Sequence, residues 1–275
     1  MRRLVFLFAL VPSFAFANDC RFTAPRDFDV DAVGLDTIAF ALASSDVTVE
    51  GVPGLAKVEV RGKACASEQS WLAGLTVDQQ RSGDRITITP HEGRDTTGSW
   101  FDFSYATIEL HVRVPAKLAI DIKTGSGDAD VSNVAALAFD ASSGDLRVDK
   151  IAGPLTVEVS SGDVTGGAIG SLDVRRTGSG DVTLHDVRGD VQVARSGSGD
   201  LHFDKVGGNV GIGHVGSGDV SASHVERDVT VDSIGSGDVS VDAVGGNFSV
   251  HSAGSGDVRH QNVRGTVAVP HHSDD

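Results

Sequence analysis

One tetrapeptide governs what this chain can become. Gly-Ser-Gly-Asp or Ser-Ser-Gly-Asp recurs eight times, ending at Asp128, Asp145, Asp163, Asp181, Asp200, Asp219, Asp238 and Asp257, and the spacing settles at 19 residues from Asp181 onward. Self-similarity at a fixed period marks a repeat architecture, in which one unit cannot bury its apolar face alone. The residue after each Asp is Ala129, Leu146, Val164, Val182, Leu201, Val220, Val239 or Val258, and the sixth after it is Val134, Ile151, Ile169, Val187, Val206, Val225, Val244 or Val263. In the 19-residue units the tenth and twelfth places are also apolar: Val191 and Val193, Val210 and Ile212, Val229 and Val231, Phe248 and Val250. Alternating β-branched residues between Gly-rich corners predict short half-buried strands, with the glycines expected to supply positive φ at the corners. Such units must stack, each coil hydrogen-bonding to the next about 4.8 Å along an axis. The expected fold is all-β, a parallel β-solenoid with coils of about 19 residues and a lumen of Val, Ile and Leu ladders, roughly five inward residues per coil. A narrow lumen that prefers Val accounts for the low aromatic share of 5%.

The first residues stand apart. Arg2 and Arg3 precede an apolar run from Leu4 to Phe16 that ends in Ala15-Phe16-Ala17, the pattern of a secretory signal peptide cleaved after Ala17. The run is too short to span a bilayer, and no later segment approaches the roughly 20 apolar residues that a spanning helix requires. The mature chain is therefore expected to be exported, to the periplasm, the cell surface or the medium, without membrane insertion. Losing Arg2 and Arg3 leaves 21 basic against 38 acidic groups, a net charge of −17, which opposes nucleic acid and anionic lipid as partners. In an oxidising compartment the two cysteines, Cys20 and Cys65, are expected to form one disulfide that ties the N-terminus to the body.

The organisation reads as a signal peptide (1–17), an irregular β-rich N-terminal region and cap (18–115), and regular solenoid repeats (116–275). Within the second part, Asp46-Val47-Thr48-Val49-Glu50-Gly51-Val52 copies the repeat as a degenerate coil, and Ser82-Gly83-Asp84 with Ile86 and Ile88 is a second candidate. Ile108, Leu110, Val112 and Val114 alternate up to Pro115, and a short helix is predicted around Glu68 to Leu75. Trp71, Trp100, Phe101, Phe103 and Tyr105 cluster here. They read either as a plug for the lumen or, for Trp100, Phe101, Phe103 and Tyr105, as a stacking platform for sugar rings. At the far end His260 takes an inward place, and the array stops at Pro270.

The Asp column poses an electrostatic question, since carboxylates about 4.8 Å apart repel by about 0.9 kcal/mol per neighbouring pair even at the dielectric of water. Each Asp is expected to accept hydrogen bonds from the Ser hydroxyl and backbone N–H groups of its own corner. Calcium is the functional alternative. The unit lacks the Gly-Gly-x-Gly-x-Asp nonapeptide of calcium-binding solenoids, so weak or no cation binding is expected, with no metal or cofactor assigned. Arg188-Gly189-Asp190 spells an integrin tripeptide, but the same corner reads Gly207-Gly208-Asn209 and Gly245-Gly246-Asn247 in other coils and is read as a turn.

Val112-Arg113-Val114-Pro115, then Leu118-Ala119-Ile120-Asp121-Ile122, then repeated Ser-Gly-Asp-Val units resemble the bacterial putative adhesin family, related to the head-domain putative autotransporter adhesins. The resemblance spans about residues 46 to 269. It implies a right-handed, single-stranded parallel β-helix in the cell envelope and brings no catalytic or ligand residues with it. No His-Glu-x-x-His, Gly-x-Ser-x-Gly or repeat-breaking carboxylate pair occurs, so no enzyme is expected. The threonine-poor column two places after each Asp excludes a flat ice-binding ladder. The functional expectation is a non-catalytic envelope protein whose rigid acidic surface provides adhesin-like binding or scaffolding toward an unknown protein or glycan. Carbohydrate recognition by the aromatic region is the alternative, and a polysaccharide-acting enzyme a more distant one.

Overall fold

The structure is a computed structural model, and it describes residues 20–93 and 105–270. The signal segment 1–17 lies outside the described residues. The N-terminal strands are β1 (Phe22–Pro25), β2 (Phe28–Asp31), β3 (Thr37–Ala41), β4 (Asp46–Val52), β5 (Lys57–Ala66), β6 (Leu75–Ser82), β7 (Arg85–Glu92), β8 (Ala106–Pro115), β9 (Ala119–Thr124) and β10 (Ala129–Ser132). From there each coil contributes two strands, ending with Val258–Val263 and Val267–Ala268. Among the described residues, the strands form two sheets of 13 and 12 strands. The first holds β1, β5, β8, β4 and β10 and then the strand after every Asp; the second holds β6, β7, β3 and β9 and then the other strand of each coil. The fold is a β-solenoid of parallel coils, as the repeat predicts.

Pairing is in register along the 19-residue coils, a register shift falling earlier, where Val157 pairs with Val174 but Glu158 with Arg176. Val182 pairs with Leu201, Leu201 with Val220 and Val220 with Val239, so each apolar column becomes one continuous ladder. Six residues per coil point inward: in the coil after Asp200 these are Leu201, Phe203, Val206, Val210, Ile212 and Val215, all at most 2% exposed. The column three places after Asp, which the sequence marks at His260, mixes Phe203 with Gly166, Ala222 and His260. The column beyond those read from the sequence lies fifteen places after Asp in the 19-residue coils and stacks Val215 on Ser196 and Ser196 on Thr177. The buried hydroxyls are satisfied locally, Thr177 donating to the Gly180 carbonyl at 2.9 Å and Ser196 to that of Gly199 at 3.1 Å, so the polar atoms carry no unpaired desolvation cost.

Stacking order differs from chain order at the N-terminal end. The β3–β4 coil lies between the β7–β8 coil and the β9–β10 coil, because β4 pairs in parallel with both β8 and β10 while β3 pairs with both β7 and β9. The Asp46 segment is thus a coil in register with the array, Val47 against Ala129 and Val49 against Val131. Ser82-Gly83-Asp84 is not a solenoid corner. It forms the turn of the antiparallel β6–β7 hairpin, with Gly83 at φ +62°, and places Ile86 and Ile88 in the second sheet beside Ile38 and Phe40. The outer edge is closed by antiparallel strands, β5 on β8 and β6 on β7, with β1 and β2 beyond β5. A short 3₁₀ helix, Gln69–Gly74, joins β5 to β6 where the sequence predicts a helix. The disulfide Cys20–Cys65 fastens the start of the described chain to β5, and Trp71 packs half-buried against the core.

The corner glycines serve a purpose other than positive φ. Among the described glycines, only Gly34, Gly54, Gly83 and Gly166 have positive φ, and none of these precedes a repeat Asp. A Cβ on the glycine before each repeat Asp would instead lie 1.8 to 2.1 Å from a carbonyl oxygen of the preceding coil. These corners stack too closely for any side chain. The left-handed conformation falls to eight other residues, five places after each Asp: Asn133, Lys150, Ala168, Asp186, Lys205, His224, Ala243 and Asn262, at φ 52–57°. This backbone reversal skips one outward place, so the sixth residue turns back into the lumen.

Candidate binding surfaces

Each coil has two corners, and the functional candidates lie along them. At the Gly-Ser-Gly-Asp corner the carboxylates form a directional ladder. Asp145 donates its backbone N–H to Asp128 Oδ1, Asp163 to Asp145 and Asp181 to Asp163, each at 2.9 Å. Asp200, Asp219, Asp238 and Asp257 continue the series at 2.8 Å, and Asp46 begins it by accepting from Asp128. This corrects the expectation that each Asp serves its own corner. Register stacking brings the next coil's unpaired corner N–H within reach, and that donor is better placed than the flexible Ser hydroxyl. The ladder ends at Asp257, where Arg259 reaches both Asp238 (2.9 Å) and Asp257 (2.6 Å). Beside its first rungs Asp46, Glu109, Asp128, Asp130, Asp145 and Asp163 line a recess of about 290 Å³ together with Arg147.

The opposite corner carries a second ladder that sequence reading missed. Asp190 Oδ1 accepts from Asn209 N–H at 2.7 Å, Asn209 from Asp228 at 3.3 Å, Asp228 from Asn247 at 2.6 Å and Asn247 from Thr266 at 2.9 Å. Asp190 of the integrin-like tripeptide is therefore a rung, and Arg188 is turned onto the Ala152 carbonyl at 2.6 Å. Between this ladder and the left-handed column runs a groove of about 1020 Å³ across five coils. Its charged lining is Asp186, Arg188, Lys205, His224, Glu226 and Arg264. The alternation of charged residues and glycine at 188, 207, 226, 245 and 264 was the available signal for it.

Titration shifts favour the charged forms throughout. Bonds from Lys57 and Arg61 hold Asp29 below the usual carboxylate range; His185, then Lys205, does so for Asp186. The Ser223 hydroxyl and His224 lower Asp204, and the Asp257 N–H with Arg259 lowers Asp238. Asp29 raises Arg61, and Asp238 raises Arg259. Ser223, Asp204 and His224 do not form a nucleophilic triad, since the hydroxyl donates to Asp204 (2.7 Å) and not to the imidazole. Among the described residues, no three His, Cys, Asp or Glu side chains gather as a metal-binding group, and no helix is long and apolar enough to cross a membrane. Trp100, Phe101 and Phe103 lie outside the described residues. Tyr105 is half-buried, and its hydroxyl accepts the Arg21 N–H at 3.0 Å, next to the disulfide.

The profile of a family described as Toastrack DUF4097 matches residues 36–275. The chain belongs to that family. The Toastrack match takes in both the β3–β4 coil and the regular array, the two parts that share the Asp ladder. Solved structures similar to this Toastrack chain include one titled a putative lipid binding protein from Parabacteroides distasonis ATCC 8503, at 14% identity and TM-score 0.45, covering 89% of this chain and 96% of that one. A putative adhesin from Parabacteroides merdae ATCC 43184 follows at 11% identity and TM-score 0.43, covering 86% and 95%. A putative cell adhesion protein from Clostridium sporogenes ATCC 15579 matches at 11% identity and TM-score 0.35, covering 87% and 99%. No curated protein matches this Toastrack chain.

Proposed function

We propose that this chain is an exported, non-catalytic binding protein of the cell envelope, whose outward sheet faces dock a protein or glycan partner. The observation that carries this reading is the register. In-register pairing holds outward side chains such as Thr183, His202, Ser221 and Ser240 in rows at one coil spacing, about 4.8 Å, on a backbone that needs no ordering when a ligand arrives. A rigid array of this kind suits an extended or repeating ligand. The disulfide supports export, since such bonds persist in oxidising compartments.

The test is binding of the purified chain, residues 18–275, to isolated envelope fractions and to a glycan array, with and without calcium. Saturable binding that falls when His202 and Ser221 become Glu, in either buffer, is the expected result. Turnover of an array glycan, or no retention on any fraction, would overturn the reading. Binding lost only when Trp100 and Phe103 become Ala would move the site to the aromatic region.

A further inference from the structure

The groove at the second corner holds two charges with no partner. Glu226 and Arg264 are both exposed, and neither makes an ion pair or side-chain hydrogen bond among the described residues. They occupy the same column two coils apart, about 10 Å along the axis, and midway between them the column holds Gly245, with the small Ala243 beside it. A two-fold axis through Gly245, perpendicular to the solenoid, exchanges these positions. It would lay Glu226 of each copy against Arg264 of the other, with Gly245 meeting its own counterpart on the axis. That is the self-complementarity an isologous contact demands.

The charge of the whole chain points to the same face. Two molecules of net charge −15 repel across most orientations, whereas the groove sets Arg188, Lys205 and Arg264 against Asp186 and Glu226. We infer that this groove is a self-association surface, on which a second copy of the chain lies antiparallel and is held by two reciprocal Glu226–Arg264 pairs. This goes beyond the envelope-binding role and does not rest on it, because that role uses the sheet faces. The overlap covers only the coils that begin at Asp219, Asp238 and Asp257, a small contact, so the dimer is expected in the micromolar range and to weaken as salt rises.

Sedimentation equilibrium from about 1 to 200 μM, a span set by that interface size, tests it. Glu226→Arg and Arg264→Glu should each weaken the dimer by about 10-fold or more, and the double exchange should return it to within about 3-fold of the parent. Ala243→Lys should weaken it by placing a long charged side chain of each copy beside the axis, inside the contact. Each variant installs a residue type that its column already carries, at Arg188, Glu226 and Lys205, so folding should be retained, and circular dichroism checks this. A chain that stays monomeric at all concentrations overturns the inference. So does a double exchange that fails to recover what the single reversals lose.

Discussion

The two ends of the solenoid stop the same two sheets in opposite ways. At the N-terminal end the β7–β8 coil is covered by antiparallel β5 and β6, and a disulfide pins the chain beyond them. At the other end Val258–Val263 and Val267–Ala268 are the last strands among the described residues, Val267 is 38% exposed and His260, standing in the inward column, is exposed beside Phe248. The difference teaches that this fold divides its specification. Irregular, covalently supported structure seals one edge, while periodic structure propagates from it by repeating a single rule.

Substitutions can break that division at graded cost. Gly218→Ala should be the most damaging, since its Cβ would sit 2.0 Å from the Gly199 carbonyl oxygen, against unyielding backbone of the preceding coil; a loss of about 4 kcal/mol or more is expected in urea unfolding. Gly54→Ala in the N-terminal region has nothing within 4 Å and only a φ of +78° to overcome, so about 1 kcal/mol is expected there. If the two cost the same, close stacking is not what the corner glycines provide. Phe203→Ala should lose about 3 to 5 kcal/mol by opening a cavity in the centre of the array. Cys65→Ser should lose about 2 to 4 kcal/mol, with hydrogen exchange rising in β1 and β5 and unchanged around Phe203. Exchange that rises along the whole array would show that the cap and the coils unfold as one.

Acid should act mainly on the array. Asp186, Asp204 and Asp238 are held below the usual carboxylate range in the folded state, so the unfolded chain takes up protons first. Their contribution is complete above about pH 5 and is lost as pH falls through the lowered values. Thermal unfolding recorded from pH 7 to 2 should show a flat melting temperature and then a decline, a decline at neutral pH being the contrary result. The smallest effect belongs to Asp219→Asn, expected within about 0.5 kcal/mol of the parent, because Asn209 and Asn247 already serve as rungs in the other ladder. Asp219→Ala removes the acceptor of the Asp238 N–H and should cost about 1 kcal/mol.

Much of the array was legible because its signal is repeated. The columns one, six, ten and twelve places after Asp are apolar at every 19-residue unit, and all four are inward. The column at three was read through His260, while the column at fifteen escaped notice because Thr177 and Ser196 blur it, although the hydroxyls of both are satisfied. The left-handed column was invisible for a related reason. Lys205, His224 and Ala243 carry no turn signature, and what holds them at positive φ is the ladder on either side. The Asp ladder was seen as a column but given the wrong donors, since its partners lie 17 to 19 residues away and become neighbours only on stacking. Nothing local in Ser82-Gly83-Asp84 separates a hairpin turn from a solenoid corner; the antiparallel β6 before it decides.

The ladders run one way, each coil receiving its corner acceptor from the coil before it. A 19-residue unit therefore brings its own donor and leaves behind an acceptor identical to the one it used. Duplicating or excising such a unit keeps every rung filled, for without residues 200–218 the Asp219 N–H would meet the Asp181 carboxylate. Length in this molecule is thus a free variable, adjustable in steps of about 4.8 Å without redesign of either end.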